Sequence, residues 1–257
     1  MPAPTLAELR RLAGSVAGPK PRSIHVLLIG WGRAPGDLFA AGIGLKRQML
    51  AVSAYRLEVP GRAPVVIESG LTAEGAKTLG LEKYLPSAQQ RVEHWMARAG
   101  LILFTHEHFD HMGGLVAALH RPGGAGLLAK ARFNPGQLPP APLAATLDWP
   151  RGLALPRPSL GSGPQAVAPG LVVFPSPGHT PGSQMIYLRL ENGREYLFTG
   201  DTATLTVNWR EQRARSRLLS QFASHPAEDR EAVLRWLATV AAWHREAPGI
   251  AKAPLIA

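Results

Sequence analysis

Three histidines and an aspartate lie within six residues of one another, at His106, His108, Asp110 and His111. They follow directly after the apolar run at 101–104. Imidazole nitrogens and carboxylate oxygens together suit a borderline dication such as zinc, and they also admit iron or manganese. The spacing H-x-H-x-D-H is far more specific than that of an ordinary polar loop. The sequence therefore predicts a metal site directly after an apolar strand.

The spacing also predicts two adjacent ions. Side chains at i and i+2 of an extended strand point to the same side, so a strand end would bring His106 and His108 to one metal. Asp110 and His111 lie a turn further along the chain and would bind a second ion beside the first. Two-metal hydrolases use this arrangement.

The residues around these ligands have predicted structural roles. Gly113 and Gly114 would let the backbone turn tightly before the short apolar segment 115–119. Glu107 and Phe109 would alternate away from the metals, which predicts hydrogen bonding and packing for them rather than metal binding.

Two later segments carry further residues of the same ligand types. The loop SPGHTPGS at 176–183 contains His179, and the segment FTGD at 198–201 ends at Asp201. Each segment alone is a weak signal, because Gly-His-Thr-Pro is usually a turn and Gly-Asp often caps a loop. They are more informative together, because they follow the first motif in order along the chain.

Together, the three motifs resemble those of the metallo-β-lactamase-fold hydrolase superfamily, over most of the chain from about residue 24. The resemblance implies ligands for two metals: His106, His108 and His179 for the first, Asp110 and His111 for the second, and Asp201 as a bridge. The implied cofactor is a pair of zinc ions, although the same ligands admit iron or manganese. Asp110 and Asp201 are the implied catalytic residues.

Two positions depart from the pattern of the superfamily. Members usually supply one more histidine to the second metal, and the final residues 254–257 resemble the strand that carries it, without the ligand. Either the chain continues further or another group or water fills that position. His225 and His244 remain downstream, but their surroundings favour a structural role for His225 and a packing or supporting role for His244. The second departure is Glu68, where the superfamily commonly has an aspartate that orients a ligand.

The predicted chemistry is hydrolysis. A dication lowers the pKa of bound water to about 7 and so supplies hydroxide at neutral pH. Asp110 or Asp201 would orient this hydroxide and help to move its proton. The chain has no Gly-x-Ser-x-Gly element that would indicate a serine nucleophile. We therefore predict a zinc-dependent, dinuclear hydrolase that acts on a small ester, lactone or thioester-like molecule.

The motifs resemble the lactonase and thioesterase branches more than the true β-lactamases. Thr204 lies where homoserine-lactone lactonases have a tyrosine, and Ser183 lies where glyoxalase II has a histidine. The substrate is therefore open within the ester-like class.

Two alternatives come from other classes of function. The net charge is +10, and four basic residues cluster after the last motif: Arg210, Arg213, Arg215 and Arg217. A solvated face or a set of salt bridges explains such a cluster better than a site for anions, but a nuclease or phosphodiesterase remains the first alternative. The second is a catalytically silent metal-binding domain. Steep salt dependence would identify the first, and metal stoichiometry would identify the second.

The pattern of elements predicts an α+β fold. The expected strands are 24–30, 54–59, 65–68, 101–104, 171–174, 185–190 and 195–198, with a hairpin at 191–194 and helices at 89–99 and 227–245. This order, together with the resemblance, predicts a four-layer αββα sandwich in which two mixed sheets pack face to face inside outer helices. We expect one domain over 1–257, with a leading segment at 1–23.

The segment 121–170 is rich in proline and glycine and shows no sustained period. Long irregular loops in compact domains often bind substrate, so this segment predicts substrate loops. Phe133, Leu138, Leu143 and Trp149 are the candidates for an apolar wall over the metals.

Composition sets the remaining limits. The chain has 257 residues, 46% of them hydrophobic, which suits a folded domain with a sizeable core. It has no cysteine, which excludes disulfides and thiolate ligands. No segment approaches the roughly 18 apolar residues of a membrane span, and the start lacks the pattern of a signal peptide. The cytoplasm is the default expectation for location, a small molecule is the expected partner, and the oligomeric state is left open.

Overall fold

A computed structural model of the protein describes residues 2–220, 228–247 and 250–252. The predictions for His225 and for 254–257 lie outside these residues.

Within the described residues, ten strands form two sheets of five. The first sheet contains β1 (Ser23–Pro35), β2 (Arg47–Glu58), β3 (Val65–Ile67), β4 (Lys83–Tyr84) and β5 (Leu101–Leu103), in the order β4-β1-β2-β3-β5. The second contains β6 (Gln165–Ala168), β7 (Leu171–Pro175), β8 (Gln184–Arg189), β9 (Glu195–Phe198) and β10 (Ile250–Lys252), in the order β10-β9-β8-β7-β6. Each sheet is mixed, because β3 pairs with β5 and β9 with β10 in parallel while the other pairs are antiparallel.

Helices lie outside the sheets. They are α1 (Leu6–Ala13), α2 (Ala73–Thr78), α3 (Pro86–Arg98), α4 (Phe109–Leu119), α5 (Thr206–Arg210), α6 (Arg217–Ser220) and α7 (Arg230–Glu246). Thr5 caps α1 by accepting a hydrogen bond from the Glu8 amide, and Asp229 caps α7 in the same way from Ala232. None of the helices within the described ranges is long and apolar enough to cross a membrane.

Three apolar layers hold the architecture together. Between the sheets, Leu57, Ile67 and Leu103 of the first pack with Val173, Ile186 and Phe198 of the second. The outer face of the first sheet is covered by α3 and α4, and that of the second by α1 and α7. Along α7, Val233, Leu237 and Val240 are buried and Trp236 packs against the same core. The predicted αββα sandwich and its α+β class are confirmed.

One local prediction is wrong. Gly113 and Gly114 do not form a turn but lie inside α4, which is longer than the predicted segment 115–119. The reason is close packing: a Cβ at Gly114 would collide with the carbonyl oxygen of Ser69 and lie 2.6 Å from Gln89 Nε2. Glycine at this position lets α4 approach the end of β3, and the packing compensates for its low helix propensity.

The predicted apolar wall over the metals is also wrong for three of its four residues. Phe133 and Leu138 are buried, and Trp149 packs partly buried, in the layer that covers the outer face of the first sheet. The ring of Phe133 stacks on Phe104 with 5.6 Å between centroids. Burying these side chains against the sheet removes more apolar surface from water than a wall over a polar site would. Leu143 borders a surface cleft that also contains His179, and a substrate role for the segment 121–170 stays a prediction.

Candidate metal centre

The first motif lies between β5 and α4. The strand ends at Leu103, and His108 is the N-cap residue of α4. His106 and His108 therefore project from a short loop rather than from a strand end, while Asp110 and His111 occupy the first turn of the helix. The predicted pairing of the histidines survives this correction because the loop brings both rings to the same point, with 4.6 Å between ring centroids.

Three histidine nitrogens converge at one point. His106 Nε2 and His108 Nδ1 are 2.9 Å apart, and His179 Nε2 is 3.2 Å from the same His108 atom. Nitrogens bound to one tetrahedral zinc at 2.0–2.1 Å lie about 3.3 Å from one another, so these separations fit a single ion. Together with Asp201, the three histidines form a group whose ligand atoms all lie within 4.8 Å.

A second grouping adjoins the first. His111 Nε2 lies 3.5 Å from Asp110 Oδ2 and 3.7 Å from Asp201 Oδ1. The other oxygen of Asp201, Oδ2, lies 3.7 Å from His179 Nε2. The structure thus brings together all six residues that the sequence singled out, with Asp201 between the two groups.

Carboxylates orient two of these histidines. His111 Nδ1 lies 3.2 Å from Glu68 Oε1, and His179 Nδ1 lies 2.7 Å from Glu228 Oε1. Glu68, where the resemblance implies a shorter aspartate, reaches His111, and its backbone has a positive φ of 65°. Such carboxylate partners fix the orientation of a metal-binding imidazole and strengthen its donor nitrogen. Glu228 could not be predicted from the sequence, because nothing in its neighbourhood connects it to His179.

Glu107 connects the first motif to the second, the loop 176–183. Its carboxylate is buried and accepts hydrogen bonds from Thr180 Oγ1 at 2.8 Å and from the Gly182 amide at 3.1 Å. The prediction that Glu107 serves hydrogen bonding is confirmed. These bonds hold the loop of His179 against the segment that carries His106 and His108.

The surroundings shift the pKa values of His106 and His111 in opposite directions. Burial and the neighbouring histidines push the pKa of His106 well below its usual value, which favours the neutral form that binds metal. Burial would also lower the pKa of His111, but the carboxylates of Glu68 and Asp110 outweigh it and raise that pKa to about 10. A metal that binds His111 must therefore displace a proton.

The pKa values of the two aspartates are also shifted in opposite directions. Burial raises the pKa of Asp110. Burial acts in that direction on Asp201 too, but Arg215 and the nearby histidines hold the pKa of Asp201 well below its ordinary range. Asp201 therefore favours its charged form, whereas Asp110 takes up a proton more readily.

The arginine cluster is largely occupied by partners within the fold. Arg215 donates to Asp201 Oδ2 at 2.9 Å, Arg213 pairs with Glu211 at 2.7 Å, and Arg210 lies over the Trp209 ring at 5.4 Å from its centroid. The preference for salt bridges over an anion site is confirmed for Arg213 and Arg215. The contact between Arg215 and Asp201 was not anticipated.

His244 does not join the site. Its ring packs edge-on against Trp209, with 4.6 Å between centroids, as the predicted packing role requires. Within the described ranges, the second grouping therefore consists of Asp110, His111 and the shared Asp201.

A cleft opens beside the two groupings. Its lining includes Asp110, His111 and Asp201 together with apolar residues of the first sheet and of β9, among them Met49, Tyr55 and Phe198. Tyr55 and Phe198 form an edge-to-face ring pair with centroids 5.0 Å apart. The cleft thus combines a polar, metal-binding side with an apolar wall.

An αββα sandwich with histidine and aspartate ligands at the edge of its sheets defines a metallo-hydrolase class. A sequence model of the metallo-beta-lactamase superfamily matches residues 48–237, and the chain belongs to that superfamily. The family is metal-dependent, in agreement with the ligand group found here.

Individual proteins are similar to this chain in sequence or in fold. An N-acyl homoserine lactonase from a Bacillus species is 25% identical over 178 residues, which cover 62% of this chain and 67% of the relative. The structure of an N-acyl homoserine lactone hydrolase with its product N-hexanoyl-L-homoserine at the catalytic metal centre superposes with a TM-score of 0.66 at 18% identity, over 90% of this chain and 92% of the other. A probable metal-dependent hydrolase from Staphylococcus aureus superposes with a TM-score of 0.60 at 16% identity, over 89% and 87% of the two chains.

Proposed function

We propose that this protein is a metal-dependent hydrolase that opens a lactone or a closely similar small ester. The observation that carries the proposal is the convergence of His106, His108, His179 and Asp201 within 4.8 Å, beside a cleft with an apolar wall. Zinc is the proposed metal, because nitrogen and oxygen ligands at these separations suit it. Asp110, His111 and the shared Asp201 are the proposed ligands of a second ion.

Asp201 and Asp110 have different proposed roles in the reaction. A dication held here would supply a Lewis acid and a nucleophilic oxygen near neutral pH. Asp201, whose pKa is held low, keeps its charge and positions the reacting groups. Asp110, whose pKa is raised by burial, lines the cleft and is the proposed proton carrier. It takes the proton from the attacking water and returns it to the leaving alkoxide.

The cleft supports a compact acyl substrate. Tyr55 and Phe198 provide an apolar wall in the same cleft as Asp110 and His111. Apolar walls with a few fixed polar groups are typical of sites for small molecules. The lactonase relative acts on substrates of this kind, which supports the lactone assignment. The arginine cluster does not favour a phosphodiester substrate, since Arg213 and Arg215 already pair with carboxylates.

A substrate panel tests the proposal. Zinc-loaded protein is assayed by proton release with simple γ-lactones, N-acyl homoserine lactones, a thioester, a β-lactam and a phosphodiester. We expect the highest kcat/KM with a lactone and its loss in His106→Ala. Fastest cleavage of the phosphodiester, with steep salt dependence, would favour the nuclease alternative. Metal binding without turnover of any substrate would favour the silent domain.

A further inference from the structure

Arg215 connects the two carboxylates that flank His179. Its Nη2 donates to Asp201 Oδ2 at 2.9 Å and to Thr204 Oγ1 at 3.2 Å, and its Nε lies 3.0 Å from Glu228 Oε1. The two carboxylate oxygens are the same atoms that face His179: Asp201 Oδ2 lies 3.7 Å from Nε2, and Glu228 Oε1 lies 2.7 Å from Nδ1. One guanidinium therefore holds both partners of a single proposed ligand.

The connection is rigid. The guanidinium is a planar fork with fixed donor directions, so two acceptors on different edges determine its orientation. The backbone carbonyl of Arg215 in turn accepts a hydrogen bond from Arg230 at the start of α7. The side chains of Arg215 and Asp201 are only 22% and 20% exposed, so salt in the solvent screens their charges weakly.

Two opposing effects on metal binding follow from this geometry. Partners that orient metal ligands typically change metal affinity by about 10–100-fold, and Arg215 orients Asp201 and, through Glu228, His179. A positive charge next to a dication acts in the opposite direction, with a strength set by the product of the two charges.

The balance of these effects differs between the two groupings. Three histidines provide most of the binding in the first, so it gains from orientation and tolerates the nearby charge. Within the described residues, the second grouping has Asp110, His111 and Asp201 Oδ1, whereas Arg215 contacts the other oxygen of Asp201, Oδ2. Arg215 therefore orients only one of its three members, and the gain from orientation is small. The repulsion therefore dominates there.

We propose that Arg215 is a positioning residue with a built-in positive charge, which fixes Asp201 and the Glu228–His179 pair around one tightly held dication and weakens the binding of a second. The inference rests on the metal centre of the proposed function and not on its lactone chemistry. Arg215 thus sets the number of ions in the site.

The test is a metal titration. Metal-free protein is titrated with Zn²⁺ and with Co²⁺ in competition with a chelator, for wild type, Arg215→Met, Arg215→Lys and the control Arg217→Met, which removes an exposed charge from the same segment. Wild type should bind one ion tightly and a second at least about tenfold more weakly. Arg215→Met should bind the first ion about tenfold more weakly and the second about tenfold more tightly. The control should match wild type.

The lysine variant separates charge from geometry. Arg215→Lys keeps the positive charge but lacks the fork, so the first ion should weaken while the second stays weak. If Arg215→Met does not fold, the test depends on Arg215→Lys. Two equally tight ions in Arg215→Lys would overturn the proposal. Parallel loss of both ions in Arg215→Met, or two equally tight ions in wild type, would also overturn it while leaving the hydrolase assignment intact. A wild-type protein that binds no metal would remove the metal centre and both proposals with it.

Discussion

Three of the six proposed ligands in this site are each held by a specific neighbour. Glu68 holds His111, Glu228 holds His179, and Arg215 holds Asp201. These neighbours place donor atoms before a metal arrives, so binding an ion costs little further ordering. They also create a dense arrangement of charge, with the raised pKa of His111 and the lowered pKa of His106 a few ångströms apart. Residue-scale tests should therefore separate loss of a ligand from loss of the fold.

Removal of a ligand should remove the first ion. His106→Ala and His179→Ala each delete one of three converging nitrogens, so we expect at least a hundredfold loss of zinc affinity, on the order of 3 kcal/mol, from loss of a direct bond rather than of an outer partner. Metal content after dialysis and chelator competition measure this. His94→Ala removes an exposed histidine from α3 and should behave as wild type. Full metal content in both ligand variants would refute the ligand assignment.

At the scale of elements, α4 places Asp110 and His111. The Ser69 amide donates to the carbonyl of His111, and the Ser69 hydroxyl accepts a hydrogen bond from the Leu115 amide. The end of β3 is therefore joined to the first turns of α4 by hydrogen bonds, and Gly114 allows the close approach. The position of the second grouping depends on this contact.

The paired glycines provide a test of that contact. Gly114→Ala should destabilise the protein by about 1–3 kcal/mol, because the new methyl group meets the Ser69 backbone and one of the two elements must move. At Gly113 the nearest atom to an added Cβ is 3.7 Å away, an ordinary contact. Gly113→Ala should therefore be neutral or stabilising by up to about 1 kcal/mol through helix propensity. Urea unfolding of both variants measures the difference, and equal stabilities would show that the approach is not tight.

A second element-scale contact fixes α1 to the second sheet. Arg10 forms two hydrogen bonds with the Glu195 carboxylate, at 2.7 and 2.8 Å, and the Tyr187 hydroxyl donates to the same group at 2.5 Å. The hydrogen bond from Arg10 lowers the pKa of Glu195. Because the folded pKa is lowered, the contact gives its full stability above the ordinary glutamate pKa of about 4.3 and loses it as the pH falls through the lowered value.

Glu195→Gln should thus cost about 1 kcal/mol at pH 7, a modest value because Arg10 is partly exposed and screened. The cost should shrink as the pH falls below about 4, where wild type loses the same interaction. Urea unfolding at a series of pH values measures it. Glu191→Gln, in the exposed hairpin, is the control and should show no such trend. A cost that is independent of pH would show that shape, not charge, holds α1.

The elements that the sequence predicted well are those with strong local periodicity. The strands β7, β8 and β9 and the helix α7 have nearly the predicted bounds, because each alternates or repeats apolar residues along its length. The helix α4 was missed because two adjacent glycines indicate a turn, whereas the packing that favours a helix there, including the close approach to Ser69, is not visible in the local sequence. The sequence could single out the proposed ligands of the first motif, because these residues lie close together in the chain. Glu228 and Arg215 were missed because their partners are distant in sequence, and no local pattern encodes such contacts.

At the scale of the whole molecule, the metal centre joins the two halves of the sandwich. His106, His108, Asp110 and His111 follow β5 of the first sheet, whereas His179 follows β7 and Asp201 follows β9 of the second. Hydrogen bonds from Thr180 and Gly182 to Glu107 cross the same boundary. A bound ion would add a direct link between the sheets, so metal binding and global stability should be coupled.

Metal removal should therefore lower the stability of the whole protein. A ligand that binds only the folded state stabilises it by about 2.7 kcal/mol at a hundred times its Kd, so zinc at that excess should raise the free energy of unfolding by this amount and raise Tm. Thermal and urea unfolding with and without chelator measure the effect. In His179→Ala the link from the second sheet is incomplete, and added zinc should stabilise this variant far less. Equal zinc stabilisation of wild type and His179→Ala would show that the ion binds within one sheet only, and the proposed link between the two halves would be wrong.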